Sequence, residues 1–346
     1  MKALIVSTPG KLELRDIPAP RPGPHEALVR ILACGVCATT DRELIKGRQP
    51  YHRDYPAVLG HEAIGQVVET GARVRNFKPG DLVTRPAAIW PGTSRDGLFS
   101  AWGGLAEYGI VRDRLAMSAD GDPSLLNDYT ALRQQVVPAG TALPHAVLAI
   151  SLAETASWFR HIPSVAGKTV CVAGTGIAGL GIVLWSLLAG AARIIALGRR
   201  DERLQLARDI GAATGINIRT TPDVSARLRE LNDGRGADFY FDAVGEPGQV
   251  QTGLTLLAEG GTLAIYGATE GQRYAALDLS AGPGHVAILR PPAEEHLAWH
   301  WVCALLKRGL IPAEKLLTHA WPLEDYAEAY GDGSGVVKGW IKITQD

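Results

Sequence analysis

The chain has 346 residues, 46% hydrophobic and 21% charged, with a formal net charge of −1. That length suggests two domains of about 100–200 residues each, and the near-neutral charge gives no electrostatic case for nucleic acid or a membrane surface. No run approaches the roughly 18 uninterrupted apolar residues of a membrane span. Four cysteines (Cys34, Cys37, Cys171, Cys303) are too few for a disulfide framework, so a reducing cytoplasm is the expected location.

Met1-Lys2-Ala3-Leu4-Ile5-Val6 reads as a strand and lacks the apolar core and cleavage site of a signal peptide. Leu12-Glu13-Leu14-Arg15 alternates as a half-buried strand does. Ala27 to Leu32 is a strand leading into Cys34-Gly35-Val36-Cys37, and His61 to Glu69 is another. Lys78-Pro79-Gly80-Asp81 is a turn before Leu82-Val83-Thr84. A further short strand is predicted between Leu105 and Val111. Many short strands with Gly/Pro turns suggest a compact, barrel-like β domain.

The pattern changes near Ala146, where a helix runs to His161, and from Lys168 strands and helices alternate. Val170-Cys171-Val172-Ala173 runs into Gly174-Thr175-Gly176-Ile177-Ala178-Gly179 and then a helix. That strand, tight turn and helix form a dinucleotide-binding unit, with the first N–H groups of the helix facing a pyrophosphate. Cys171 falls in this buried strand and reads as inert core. Ile194 to Leu197 is the next strand, after which Asp201 can cap a helix to Ile210. The strands Ala237 to Phe241 and Thr262 to Tyr266 end at Val244 and Gly267, where open α/β sheets bind ligands. A helix is expected over 294–307, and the terminal strand Trp340-Ile341-Lys342-Ile343 is expected to return to the first domain.

The end of the second dinucleotide strand separates the two nicotinamide cofactors. An acid there holds the ribose hydroxyls of NAD, but Leu197 is followed by Gly198-Arg199-Arg200. Glycine makes room, and two guanidiniums can bind a 2′-phosphate. NADP(H) is therefore expected, with Gly174, Thr175, Gly176, Ile177, Gly179, Gly198, Arg199, Arg200, Val244 and Gly267 as cofactor-binding residues.

The whole order resembles the zinc-dependent medium-chain dehydrogenase/reductase superfamily, nearest its alcohol, polyol and sugar dehydrogenases. Cys34-Gly35-Val36-Cys37 with Thr39, Thr40 and Asp41 is similar to the first zinc-ligand motif. Gly60-His61-Glu62-Ala63-Ile64-Gly65 is similar to the second, and Gly103-Gly104-Leu105-Ala106-Glu107-Tyr108 to a structural signature. The resemblance implies an α/β protein: a GroES-like β-rich catalytic domain at 1–150, completed by 290–346, and a doubly wound parallel-sheet (Rossmann) nucleotide-binding domain at 151–289. It also implies a homodimer or homotetramer and a small-molecule alcohol or ketone substrate. Thiolate, imidazole and carboxylate suit a catalytic Zn²⁺, a Lewis acid that acidifies an alcohol hydroxyl. Cys37, His61 and Glu62 are the ligands the resemblance implies.

Departures from the family pattern matter. Cys37-Ala38-Thr39-Thr40-Asp41 is one residue longer than the usual Cys-x-Ser/Thr-Asp. The hydroxyl that relays the substrate proton is Thr39 by spacing from the cysteine, which we favour, or Thr40 by adjacency to the aspartate. Counting back from Gly174, the family's third ligand falls at Ile150, which cannot bind zinc. Glu62 with a water is one substitute. Glu154, four residues on and on the same helical face, is another. Residues 85–102 hold no cysteine where relatives carry a structural zinc lobe, so one catalytic zinc is expected. Trp90, Phe99 and Trp102 lie in that stretch and read as local packing. Substrate choice is expected to fall to loops near 51–55, 90–102 and 282–292.

The expected function is interconversion of a secondary alcohol, polyol or sugar-like hydroxyl and its ketone. The alternatives are a zinc-free enone or quinone reductase of the same superfamily and a non-catalytic NADPH-binding protein, the latter favoured by Ile150.

Overall fold

In the computed structural model of the chain, which describes residues 1–49, 52, 54–267 and 277–343, the strand Glu26–Val36 buries Ala27, Val29, Ile31 and Ala33. The residues between them stay partly exposed, the period-two pattern of a pleated strand with one core face. This strand pairs antiparallel with Glu62–Thr70, setting Gly35 opposite Glu62 and Cys34 opposite Ala63. That register brings the end of the Cys34–Cys37 motif beside His61 and Glu62. On its other edge it pairs antiparallel with the tail strand Lys338–Lys342, Trp340 facing Gly35. With Leu317–Pro322, Leu82–Thr84 and Tyr108–Arg112 these strands make a six-stranded sheet. Lys2–Thr8 belongs to a second sheet of five strands. Leu4, Ile31, Leu44, Leu59 and Ile341 share one fully buried core between elements distant in sequence.

The described chain divides into two compact units, Met1–Ser151 with Trp299–Asp346, and Leu152–Ala298. The second holds a six-stranded sheet in the order Thr214–Asn217, Arg193–Gly198, Thr169–Ala173, Ala237–Asp242, Leu257–Ile265, Ala287–Leu289. Every neighbouring pair is parallel, so this is a doubly wound sheet. Its order reverses between Thr169–Ala173 and Ala237–Asp242, the crevice where such sheets bind nucleotides. Thr169–Ala173 is buried throughout, as a parallel strand covered on both faces should be. Burial pushes the thiol of Cys171 far up, consistent with inert core. All four cysteines are free.

Three local expectations shift. Residues 290–298, read from the sequence with the catalytic unit, belong to the nucleotide unit. The Glu294 N–H donates to Ser157 Oγ at 2.8 Å and Arg160 donates to the Leu297 carbonyl at 3.2 Å. The helix expected over 294–307 is accordingly a single turn, Glu295–Leu297, then a break at Ala298 before Trp299–Lys307. Asp201 is the first residue of its helix and not its cap, and its carboxylate accepts from Asn217 at 2.8 Å. Of the loop at 51–55, residues 51 and 53 lie outside the described ones. No helix among the described residues is long and apolar enough to cross a membrane.

Candidate functional site

Among the described residues, the set of three or more His, Cys, Asp or Glu side chains whose ligand atoms converge is Cys37, His61 and Glu62, with those atoms within 4.8 Å of one another. Cys37 follows the strand Glu26–Val36, and Glu62 opens the strand paired with it. The cluster is therefore held by a sheet register and not by flexible loops alone.

Asp41 organises it. Its side chain is fully buried at the start of the helix Thr40–Ile45. One oxygen accepts from His61 Nδ1 at 2.9 Å. The other accepts from the Cys37 N–H at 3.0 Å and the Tyr330 hydroxyl at 2.8 Å. A carboxylate on Nδ1 fixes the imidazole's tautomer and orientation and turns Nε2 toward the cluster, the usual arrangement behind a metal-binding histidine. Burial alone would hold His61 below its ordinary value. Asp41, and after it Cys37, reverse this and hold it well above. The Thr40 N–H donates to Cys37 Sγ at 3.4 Å. Arg85 donates to the His61 carbonyl, and the Trp102 ring lies 5.5 Å from the imidazole, tilted by 52°. Trp102 thus faces the cluster, while Trp90 lies under the Arg112 guanidinium, 4.0 Å from it.

Glu62 is buried and its two oxygens have different partners. Oε1 accepts from Ser151 Oγ at 3.0 Å and stands 4.0 Å from His61 Nε2. Oε2 pairs with the ammonium of Lys338. Burial opposes the charge, but Lys338 and then His61 hold the Glu62 carboxyl down at about 2. Lys338 is likewise held above its ordinary value, by Glu62 first, against burial. Ile150 is fully buried, so the helix Leu143–Phe159 meets the cluster through Ser151, its neighbour. Glu154 lies beyond the boundary, in the second unit. Asp41, Ser151, Tyr330 and Lys338 were not singled out as site residues by sequence. Only Asp41 carried a local signal, its place at the end of the cysteine motif. A cavity of about 410 Å³ lined by Phe77, Arg112, Leu132 and His300 shares no residue with the cluster.

In the second unit the glycine turn has the expected form. Gly174 adopts φ +102°, a region that favours glycine. A Cβ at Gly179 would overlap the Gly174 carbonyl oxygen, so the helix Ile177–Leu188 approaches the turn too closely for any side chain there. At Gly176, which precedes that helix, a Cβ would meet nothing within 4 Å. At the next strand end, Arg199 pairs with Glu246 at 3.3 Å and Arg200 with Glu202 at 3.7 Å. All four side chains are about half exposed or more. Such surface pairs are weak, about 0–1 kcal/mol. Val244 and Gly245 donate backbone N–H groups to Asp242, at 3.0 and 3.1 Å. A Cβ at Gly267 would overlap Gly245, so the two strand ends meet backbone to backbone.

Residues 23–120 match the Alcohol dehydrogenase GroES-like domain family. Residues 178–282 match the Zinc-binding dehydrogenase family. The chain is 28% identical over 379 residues to an alcohol dehydrogenase of Cupriavidus necator, covering 99% of this chain and 98% of that one. It is 30% identical over 275 residues to the NADP-dependent isopropanol dehydrogenase of Thermoanaerobacter brockii, covering 76% and 75%. The alcohol dehydrogenase TADH from Thermus sp. ATN1 superposes with a TM-score of 0.82 at 24% identity, covering 99% and 100%, a likeness of fold. The chain belongs to the zinc-dependent medium-chain dehydrogenase/reductase family, with a GroES-like domain and a Rossmann-type parallel sheet.

Proposed function

We propose that this protein is a zinc-dependent, NADP(H)-preferring oxidoreductase interconverting a secondary alcohol, polyol or sugar-like hydroxyl and its ketone. The observation that carries this reading is the convergence of Cys37, His61 and Glu62, with Asp41 on the far nitrogen of His61, in a chain of this family. Three protein ligands with a position left over suit a catalytic zinc rather than a structural one. When bound, zinc supplies the Lewis acidity that makes an alcohol hydroxyl more acidic, and NADP⁺ is the hydride acceptor.

The chain's own residues do the rest. Asp41 accepts from His61 Nδ1, so a zinc ion would take the place of the proton on Nε2. The Ser151 hydrogen bond to Glu62 supports Glu62 as third ligand over Glu154. Thr40 takes the substrate proton: it is half-buried beside the anchored Asp41, whereas Thr39 is exposed. Trp102 forms an apolar wall beside His61. In the second unit Gly174, Thr175, Gly176, Ile177 and Gly179 cradle the pyrophosphate, Val244 and Gly267 border the nicotinamide half, and Arg199 and Arg200 bind the 2′-phosphate.

The NADP preference draws support from the missing acid at Gly198 and from the cofactor in the isopropanol relative's name. A charge-assisted hydrogen bond contributes about 1.5–3 kcal/mol. Arg199→Ala or Arg200→Ala should therefore weaken NADP⁺ about ten- to a hundredfold and barely touch NAD⁺. Placing an acid at Gly198 is a poorer test, because a Cβ there would come within 2.9 Å of Thr175 Oγ1 and 3.0 Å of Leu204. The experiment for the whole proposal is a panel of alcohols, polyols and ketones, comparing kcat/KM with NADP(H) and NAD(H). Turnover favouring NADP(H) is expected. A ratio favouring NAD(H) overturns the cofactor assignment, and NADPH binding without any turnover overturns the enzyme.

A further inference from the structure

Lys338 is a charged group to which the proposed reaction assigns no step. It is 1% exposed. Its ammonium pairs with Glu62 Oε2 and also donates to the Val36 carbonyl at 3.2 Å. The backbone is cut to fit this pair. At Gly35, opposite Glu62 in the sheet, a Cβ would overlap Glu62 Oε2 and come within 3.1 Å of Lys338 Cε. The lysine is thus sealed against a carboxylate whose other oxygen stands 4.0 Å from His61 Nε2.

A buried carboxylate without a counter-charge is strongly unfavourable. Two cations addressing one carboxylate compete for it and repel each other. We propose that Lys338 is a resident counter-cation that sets metal loading. It neutralises Glu62 in the metal-free protein, so the empty site stays folded and ready, and it weakens zinc binding by competing for Glu62. This rests on Cys37, His61 and Glu62 being the metal ligands. Zinc affinity is then a balance between ligand supply and an internal competitor. Stability of the metal-free chain and tightness of zinc binding are coupled with opposite signs.

The test is zinc affinity by competition with a chromophoric chelator, together with thermal unfolding of the metal-free and zinc-loaded forms. Lys338→Met should bind zinc about tenfold tighter or more, since one buried repulsive charge is gone, while its metal-free form melts earlier. The gap in Tm between its loaded and metal-free forms should widen. Lys338→Arg should keep wild-type behaviour in both measurements. If metal-free Lys338→Met does not fold, the double variant Glu62→Gln with Lys338→Met should fold without metal, because both charges leave together. Zinc affinity in Lys338→Met equal to or weaker than wild type overturns the proposal. So does an equal fall in Tm for both forms, or a double variant that folds no better than Lys338→Met. If the wild-type protein binds no zinc, the metal-centre reading fails and this proposal with it. Normal wild-type zinc binding with an unmoved Lys338→Met defeats the proposal alone.

Discussion

Cys37→Ala is expected to abolish zinc retention and alcohol oxidation while NADPH still binds. The thiolate is one of only three protein ligands proposed, and removing it leaves an imidazole and a carboxylate already shared with Lys338. His61→Ala should have the same effect on metal and activity. It carries an added stability cost of about 1–3 kcal/mol, because buried Asp41 loses its His61 partner. The glycine turn belongs to the other compact unit, so cofactor binding gives an internal control for folding. Metal content, turnover and a fluorescence titration with NADPH check the three parts separately. Full activity in both variants would show that the chemistry does not pass through these side chains.

Thr40→Ala is expected to slow the chemical step by about 10² or more, the scale of a lost general acid–base group, with Thr39→Ala near wild type. Asp41 is pinned by His61, the Cys37 N–H and Tyr330. The residue beside that fixed point is Thr40. The measurement is kcat with protiated and deuterated alcohol for each variant, which separates chemistry from product release. A large loss in Thr39→Ala with Thr40→Ala silent would restore the assignment that spacing from the cysteine suggests.

What could be read from the sequence was local. The glycine turn and its strand are contiguous, and Gly174 and Gly179 each have a local backbone reason to be there. Cys37, His61 and Glu62 sit in two short motifs that one antiparallel register joins. The rest of the site is built by contacts across great separation in the chain. Lys338 reaches Glu62 over 276 positions and Tyr330 reaches Asp41 over 289, and no periodicity in the tail announces either. Ser151 carries no signal of its own in the sequence: the family's ligand position falls at Ile150, and its neighbour supplies a hydrogen bond instead. The break at Ala298 was equally invisible: Glu294 to Lys307 has no internal Gly or Pro, and packing of 290–298 on the nucleotide unit ends the first turn. Asp201 had the residue type of a cap, but its carboxylate is taken up by Asn217.

The most direct test of the central claim is metal analysis of the purified protein coupled to its activity. We predict zinc near one per chain, loss of alcohol oxidation when the metal is stripped by a chelator, and recovery on adding zinc back. Full turnover by protein that contains no metal would contradict the account and favour a zinc-free reductase.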